Sequence, residues 1–315
     1  MPYFPKVLYY GLLHCICNDK ILFMLKMIKY YGLIGQILLQ FKIIFKARFL
    51  KAIDKKTLAK KHFGQNFLQD ENVLNAIIQS IPKWNQAIEI VEIGAGLGDL
   101  TNKLLSLGNI TAYEVDKDLI PYLQERLQSA LECGSLSLEI GDVLEIWKGE
   151  SLRRKDYFLV SNLPYYIATK IVIKTIKDPL SCGCVVMTQK EVAQKFCAQC
   201  GESDFSALSV LAQSVGEATL LFDVPPSAFV PPPKVTSSVF LLQKMANPPS
   251  FKDLEHLESL LKVAFCAPRK TILNNLSKAY PKQAIIDALE SLQIAPSKRP
   301  HEIDTPNYHR LLKIL

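Results

Sequence analysis

The chain has 315 residues, of which 49% are apolar and 21% charged. That balance excludes a disordered chain, and the length allows one large α/β domain plus a smaller one. The formal charge of +7 invites a nucleic-acid reading, but it is unevenly placed: residues 1–56 carry ten Lys/Arg against two acids, and the other 259 carry 27 bases against 28 acids. Nucleic-acid affinity in the body must therefore come from local clusters.

Residues 1–56 form an apolar, basic extension. Its longest uncharged runs, Val7 to Asn18 and Tyr30 to Phe41, are 12 residues each, short of the roughly 20 that span a bilayer. A non-native stretch translated from an upstream start is the preferred reading. A membrane-surface amphipathic helix and a true span or targeting element are the alternatives. No stable membrane partner is expected.

After the basic, aromatic stretch Lys60 to Leu68, Asp70 is placed to cap a helix running to about Ser80. Ala87 to Ile93 is a near-continuous apolar run, the signature of a central parallel strand. Helix then alternates with strand: a helix at Asp99 to Leu107, a strand at Ile110 to Val115, a helix at Leu119 to Leu131, and strands at Leu136 to Ile140 and Phe158 to Ser161. A helix at Ile167 to Ile176, a strand at Cys184 to Thr188 and a helix at Lys190 to Gln199 follow. Two further β segments lie near Thr219 to Val224 and Ser237 to Lys244. This order predicts a Rossmann-like, doubly wound, mostly parallel sheet over residues 57–247. Beyond the Pro-rich break at Asn247, only helical patterns occur (Leu254 to Phe265, Lys270 to Lys278, Gln283 to Leu292, Pro306 to Leu315), so residues 248–315 read as a small all-α domain.

Eight cysteines occur. A chain with this much apolar core needs no disulfides, so a reduced, cytoplasmic setting is expected. Cys182, Cys184, Cys197 and Cys200 together offer four thiolates to zinc. The competing reading is free thiols, because alternate residues of a strand face opposite ways, and no metal site is assigned.

Gly94-x-Gly96-x-Gly98 follows the first strand, where glycines let backbone approach a ligand closely. Glu114 ends the next strand, and a carboxylate there suits two ribose hydroxyls. Asp142 ends the third, placed to accept from an adenine amine. The fourth strand runs into Asn162-Leu163-Pro164-Tyr165. The Asn162 side-chain oxygen and a carbonyl at Leu163 or Pro164 can accept both N–H bonds of a planar exocyclic amine, while Tyr165 stacks on the base. Only S-adenosylmethionine, rather than a dinucleotide, explains why a cofactor loop is paired with an amine-holding turn. The target base must be splayed out; Phe229, in a Pro-rich loop, either covers its second face or plugs that loop. Basic clusters at Lys60-Lys61, Arg153-Arg154-Lys155, Lys190/Lys195, Arg269-Lys270 and Lys298-Arg299 form a phosphate track if several lie beside the pocket.

Taken in order, His62 to Leu68, Val91 to Gly98, Glu114-Val115-Asp116, Gly141-Asp142, Asn162 to Tyr165, the Phe229 loop and Ala264 to Leu276 resemble the small-subunit (16S) rRNA adenine dimethyltransferase family. The resemblance runs from about Lys60 to the C-terminus. It implies dimethylation of two adjacent adenosines in the 3′-terminal hairpin of small-subunit rRNA within an assembling 30S subunit, by a monomer using S-adenosylmethionine. By position it implies cofactor contacts at Asn66, Leu68, Gly94, Glu114, Asp142 and Asn162, and rRNA contact by the C-terminal helices. The extension and the paired cysteines are not part of the family pattern. Rival readings are a large-subunit rRNA adenine methyltransferase of the macrolide-resistance type and a non-catalytic nucleic-acid-binding homologue.

Overall fold

Why the sheet divides into two buried faces is visible in its central strands. In the computed structural model, which describes residues 59–60, 64–84 and 88–315, β2 (Glu89–Ile93) turns Val91 and Ile93 to one core and Ile90 to the other. β5 (Tyr157–Asn162) does the same with Tyr157 and Leu159 against Phe158 and Val160. A strand covered on both faces reads as a continuous apolar run, as expected of parallel sheets with helices on each side. The extension 1–56 and Lys61 lie outside the described residues.

The other elements follow in chain order. β1 (Phe67–Leu68) precedes α1 (Glu71–Gln79), and α2 (Asp99–Leu104) follows β2. Then come β3 (Ile110–Glu114), α3 (Ile120–Arg126), α4 (Gln128–Glu132), β4 (Leu136–Ile140) and α5 (Val143–Ile146). After β5 lie α6 (Tyr165–Lys177), β6 (Ser181–Gln189), α7 (Lys190–Cys197), α8 (Ala207–Val215), β7 (Gly216–Val224), β8 (Phe229–Val230) and β9 (Ser237–Lys244). Asp70 caps α1 as expected, its carboxylate accepting from the Asn72 and Val73 amides at 2.8 and 3.2 Å.

Seven strands pair in the order β4-β3-β2-β5-β6-β9-β7. β4 through β6 run parallel, while β9 is antiparallel to both of its neighbours. The expected Rossmann-like sheet is present, with an antiparallel edge. The order reverses between β2 and β5, which lie side by side while their helices leave in opposite directions. Ligands of open α/β sheets bind at such a reversal, outside the carboxyl ends of the strands.

Two expectations are corrected and two features are new. The helix expected over Leu119 to Leu131 is two helices, broken at Leu127, whose backbone (φ −109°, ψ 20°) leaves the helical range. The helix after β5 starts at Tyr165 rather than Ile167. α8 was not anticipated, and neither was the two-stranded pairing of β1 with β8, since two-residue strands leave no alternation to read.

The chain ends in α9 (Phe251–Ala264), α10 (Ile272–Leu276), α11 (Lys282–Ser291) and α12 (Thr305–Ile314), all helical as expected. α9 begins on a capping box between Ser250 and Asp253. It buries Leu254, Leu257, Leu261 and Ala264 in the same apolar cluster that holds Ile171 of α6 and Phe240 of β9. Each such leucine contributes roughly 1.5–3 kcal/mol of transfer free energy. The helices at 248–315 therefore share a core with the sheet, and Lys55–Leu315 is one compact unit. Among the described residues no helix is long and apolar enough to cross a membrane.

Candidate active site

A cleft opens at the carboxyl ends of β2 to β5, where the strand order reverses. Its lining brings together Asn66, Leu68, Gly94, Gly96, Glu114, Asp142, Asn162, Leu163, Pro164 and Tyr165, ten positions drawn from five separate stretches of chain. Its volume is about 90 Å³.

The glycine loop and the Asn-Leu-Pro-Tyr turn lie side by side. A Cβ built on Gly94 would sit 3.4 Å from Pro164 Cδ, an ordinary packing distance, and Gly94 has φ +81°. That left-handed backbone is what favours glycine here. The Gly94 amide donates to the Tyr113 carbonyl at 2.8 Å, which pins the loop to the end of β3. One residue before the turn, the buried Ser161 hydroxyl donates to the Ile93 carbonyl, tying β5 to β2.

Within the turn, two acceptors stand out. Asn162 Nδ2 donates to the Asn66 carbonyl at 3.2 Å, which orients the side-chain amide and leaves Oδ1 as its acceptor. The Pro164 carbonyl accepts from the Ile167 amide at 3.1 Å as α6 begins. The Leu163 carbonyl has no donor among the described residues. The Leu163 amide donates to Met187 of β6, fixing the peptide plane. Tyr165 lines the cleft with its hydroxyl 2.6 Å from Ser237 Oγ.

Every charged residue that lines the cleft among the described residues is acidic. Glu114 is buried, and its two oxygens accept from the Gly96 and Asp116 amides at 2.8 and 2.9 Å. Burial pushes its pKa up, against those backbone donors. Asp142 caps α5 through the Leu144 amide at 2.8 Å. Glu92, not singled out from sequence, is 1% exposed beside α2, and its Oε2 has no partner. Burial, helped by the nearby Glu114 and Asp99 carboxylates, moves its pKa up to about 8. An acid inside the apolar run of β2 was the signal available. Tyr166 was also missed: it is 56% exposed at the mouth, with its ring against Gly64.

Several expected contacts lie elsewhere. Phe229 does not line the cleft. It is 2% exposed, pairs with Leu68 across the small sheet, and packs as the plug of its loop. The Lys60 ammonium sits 2.6 Å from both Asp116 and Asp118, and Gln65 also donates to Asp116. Lys60 thus latches the first described loop to the end of β3. Lys190 is paired with Asp223 at 2.6 Å. Arg153 grips Glu89 through two nitrogens, at 2.7 and 3.1 Å, at the amino end of β2. Arg154 is on that same end, so neither belongs to a track beside the cleft. Arg269 and Lys270 are exposed in the turn after α9 and do not line the cleft. That turn is held by buried Asn275, whose Nδ2 donates to the Ala264 and Ala267 carbonyls at 2.7 and 3.0 Å.

The cysteines do not converge on a zinc site. Cys184 is buried in one core cluster and Cys182 packs against the other, so β6 sends the two thiols to opposite faces. Among the described residues no group of His, Cys, Asp or Glu is arranged to hold a metal ion.

A family model described as ribosomal RNA adenine dimethylase matches residues 56–315. The ribosomal RNA small subunit methyltransferase A of Sulfurimonas denitrificans is 48% identical over 260 residues, covering 82% of this chain and 95% of the relative. Among solved structures, a dimethyladenosine transferase from Plasmodium falciparum aligns with a TM-score of 0.63 at 27% identity, covering 78% of this chain and 95% of the other. The 23S rRNA methyltransferase ErmE aligns with a TM-score of 0.61 at 25% identity, covering 79% and 99%.

Proposed function

The chain belongs to the ribosomal RNA adenine dimethylase family, and from that premise we propose that it dimethylates the exocyclic amines of two adjacent adenosines in the 3′-terminal hairpin of small-subunit rRNA. The observation that carries this reading is the placing of Gly94 beside Pro164 in the lining of one cleft, so near that an added Cβ would lie 3.4 Å from Pro164 Cδ. It puts a cofactor loop and an amine-holding turn in one cleft. The large-subunit alternative is disfavoured by similarity: the relative named for the small subunit is 48% identical, against 25% for ErmE. The non-catalytic alternative is disfavoured by a cleft that keeps its glycine loop, its buried Glu114 and its open Leu163 carbonyl.

S-adenosylmethionine, when bound, supplies an electrophilic methyl group. The residues present suit it. Gly94 and Gly96, both with positive φ, bring backbone to the cleft wall, and Glu114 and Asp142 lie at successive strand ends to hold ribose hydroxyls and an adenine amine. Asn66, Leu68 and Gly96 complete that wall. The acidic lining tolerates a cationic ligand without a counter-ion of its own.

The chain's part in the reaction is mostly alignment. Asn162 Oδ1 and the Leu163 carbonyl accept the two N–H bonds of the target amine. That pulls the amine out of conjugation with the ring and frees its lone pair. Pro164 fixes the turn, and Tyr165, held by Ser237, stacks on the splayed base, a contact worth roughly 1–3 kcal/mol. No residue acts as a dedicated base, because the proton leaves after transfer. We further propose that the protein acts as a cytoplasmic monomer on rRNA within the assembling 30S subunit, with Arg269 and Lys270 on the rRNA.

The test is methylation of small-subunit particles from cells lacking this modification, read by primer extension across the 3′ hairpin. Two adjacent stops are expected. Modification mapped to large-subunit rRNA, or none at all, would overturn the reading.

A further inference from the structure

A second cavity lies at the other end of the sheet, about 1000 Å³ in volume, beneath the amino ends of β2 and β3. The strands between it and the cleft are five residues long, so the two sites are roughly 13–17 Å apart along the strand direction. The cavity combines two features. One is a wall built on Trp84, whose ring also packs on Phe158 with centroids 4.7 Å apart. The other is charge: Lys83, Arg153, Arg154 and Lys155 line it, against Glu89 as the one carboxylate in the lining.

These charges do not cancel locally. Glu89 is taken by Arg153, whose third nitrogen donates to Tyr113 Oη at 3.1 Å. Lys83, Arg154 and Lys155 are exposed and have no ion-pair partner among the described residues. Three uncompensated cations around an aromatic-walled hollow is the combination that holds single-stranded nucleic acid: cations track the backbone, and an aromatic face takes a base whatever its identity. A purely apolar partner would leave the cations unanswered, and a small inorganic anion would leave the hollow unfilled.

We propose that this cavity is a second rRNA site, which takes an unpaired nucleotide on Trp84 with its flanking phosphates on Lys83, Arg154 and Lys155. It rests on the rRNA reading above and deepens it. The substrate is held at both ends of the sheet, so the far contact sets the angle at which the target hairpin meets the cleft.

Two full-chain variants test it, R154E/K155E and W84F, the latter keeping an aromatic ring against Phe158. Binding of small-subunit rRNA is measured across a salt series, and S-adenosylhomocysteine binding by calorimetry. The charge reversal is expected to weaken rRNA binding about tenfold and to reduce the salt slope by about 1.5, near 0.7–0.9 for each phosphate no longer neutralised. S-adenosylhomocysteine affinity should stay at the wild-type value. The chain has two tryptophans, and Trp147 is 2% exposed. RNA should therefore quench emission from Trp84 alone, and W84F should abolish the quenching. Wild-type affinity and slope in R154E/K155E, or bound RNA that leaves Trp84 emission unchanged, would overturn the proposal. If the wild-type protein methylates no small-subunit rRNA, the earlier reading fails instead.

Discussion

The two ends of the central sheet are made of the same short strands and carry opposite charge. At the carboxyl ends, Glu92, Glu114 and Asp142 line one cleft, and Lys60 is engaged by Asp116 and Asp118. At the amino ends, four cations surround a single Glu89. The difference lies in what answers each charge. At the cleft two of the acids are met by backbone amides, Gly96 and Asp116 on Glu114 and Leu144 on Asp142. Amides stabilise a carboxylate without neutralising it, so the cleft keeps its field for a cationic ligand. At the far end the one acid is matched by a guanidinium, and the surplus cations face outward.

The largest expected effect breaks the cleft end alone. Asn162→Ala removes one of the two acceptors offered to the target amine. By analogy with deleting one preorganised hydrogen-bond partner of a transition state, kcat should fall roughly 100–1000-fold. The thermal midpoint should barely move, because Asn162 is at the cleft surface. Single-turnover methylation at saturating rRNA measures this. A variant methylating at the wild-type rate would remove the turn from the mechanism.

The buried acid gives the next effect. Glu92 has its pKa raised from the ordinary 4.5 to about 8, chiefly by burial. A carboxyl whose folded pKa lies above its unfolded value binds its proton more tightly when folded. Stability is then fullest below about pH 4.5 and declines as pH rises toward 8. Glu114 and Asp99, which face Glu92, act in the same direction. Glu92→Gln keeps the shape without the charge, so its urea midpoint should fall less than that of the wild type between pH 5 and pH 8.5, by an amount worth a few kcal/mol. Parallel curves for the two proteins would mean that Glu92 is already solvated in the fold.

A smaller effect probes the loop. Gly98 has φ +79°, and a Cβ there would meet Leu123 Cδ2 at 3.1 Å and Leu127 Cδ1 at 3.2 Å. Gly98→Ala should cost about 1–2 kcal/mol of stability from left-handed strain alone, read as a lower denaturant midpoint. S-adenosylhomocysteine affinity should weaken with it. Gly108 has φ +145° and open space around it, so alanine there tests strain without crowding.

Much of the cleft was legible because chemistry and period coincide at strand ends. Glycines after β2, Glu114 after β3 and Asn162 after β5 are local signals, and parallel topology forces such ends together. The cation track was not legible. Lys60, Arg153 and Lys190 sit in basic clusters of the sequence, yet each is claimed by a carboxylate distant in the chain: Asp116, Glu89 and Asp223. Sequence displays a charge but not its partner. Phe229 failed as a cleft residue for a related reason: its pairing with Leu68 crosses most of the domain and involves only two residues per strand. α8 escaped because it is short and buried nearly all round, and Ser209, Gln213 and Ser214 are too few to mark a solvent face.

The smallest effect sharpens the contrast between the ends. Glu89 accepts from Arg153 and from the Thr111 hydroxyl at 2.6 Å, with about a fifth of its side chain exposed. Glu89→Gln keeps one acceptor and removes the charge, and partly exposed pairs of this kind are worth about 1 kcal/mol. The urea midpoint should drop by that much, and added salt should shrink the difference from wild type, since screening weakens the pair being removed. The methylation rate should not change, because the site of the change is a strand length away from the target amine. The same substitution frees the Arg153 guanidinium at the cavity, so rRNA affinity at low salt should rise slightly. A Glu89→Gln protein that binds rRNA more weakly than wild type would mean that the carboxylate, rather than the cations around it, organises the amino end of the sheet.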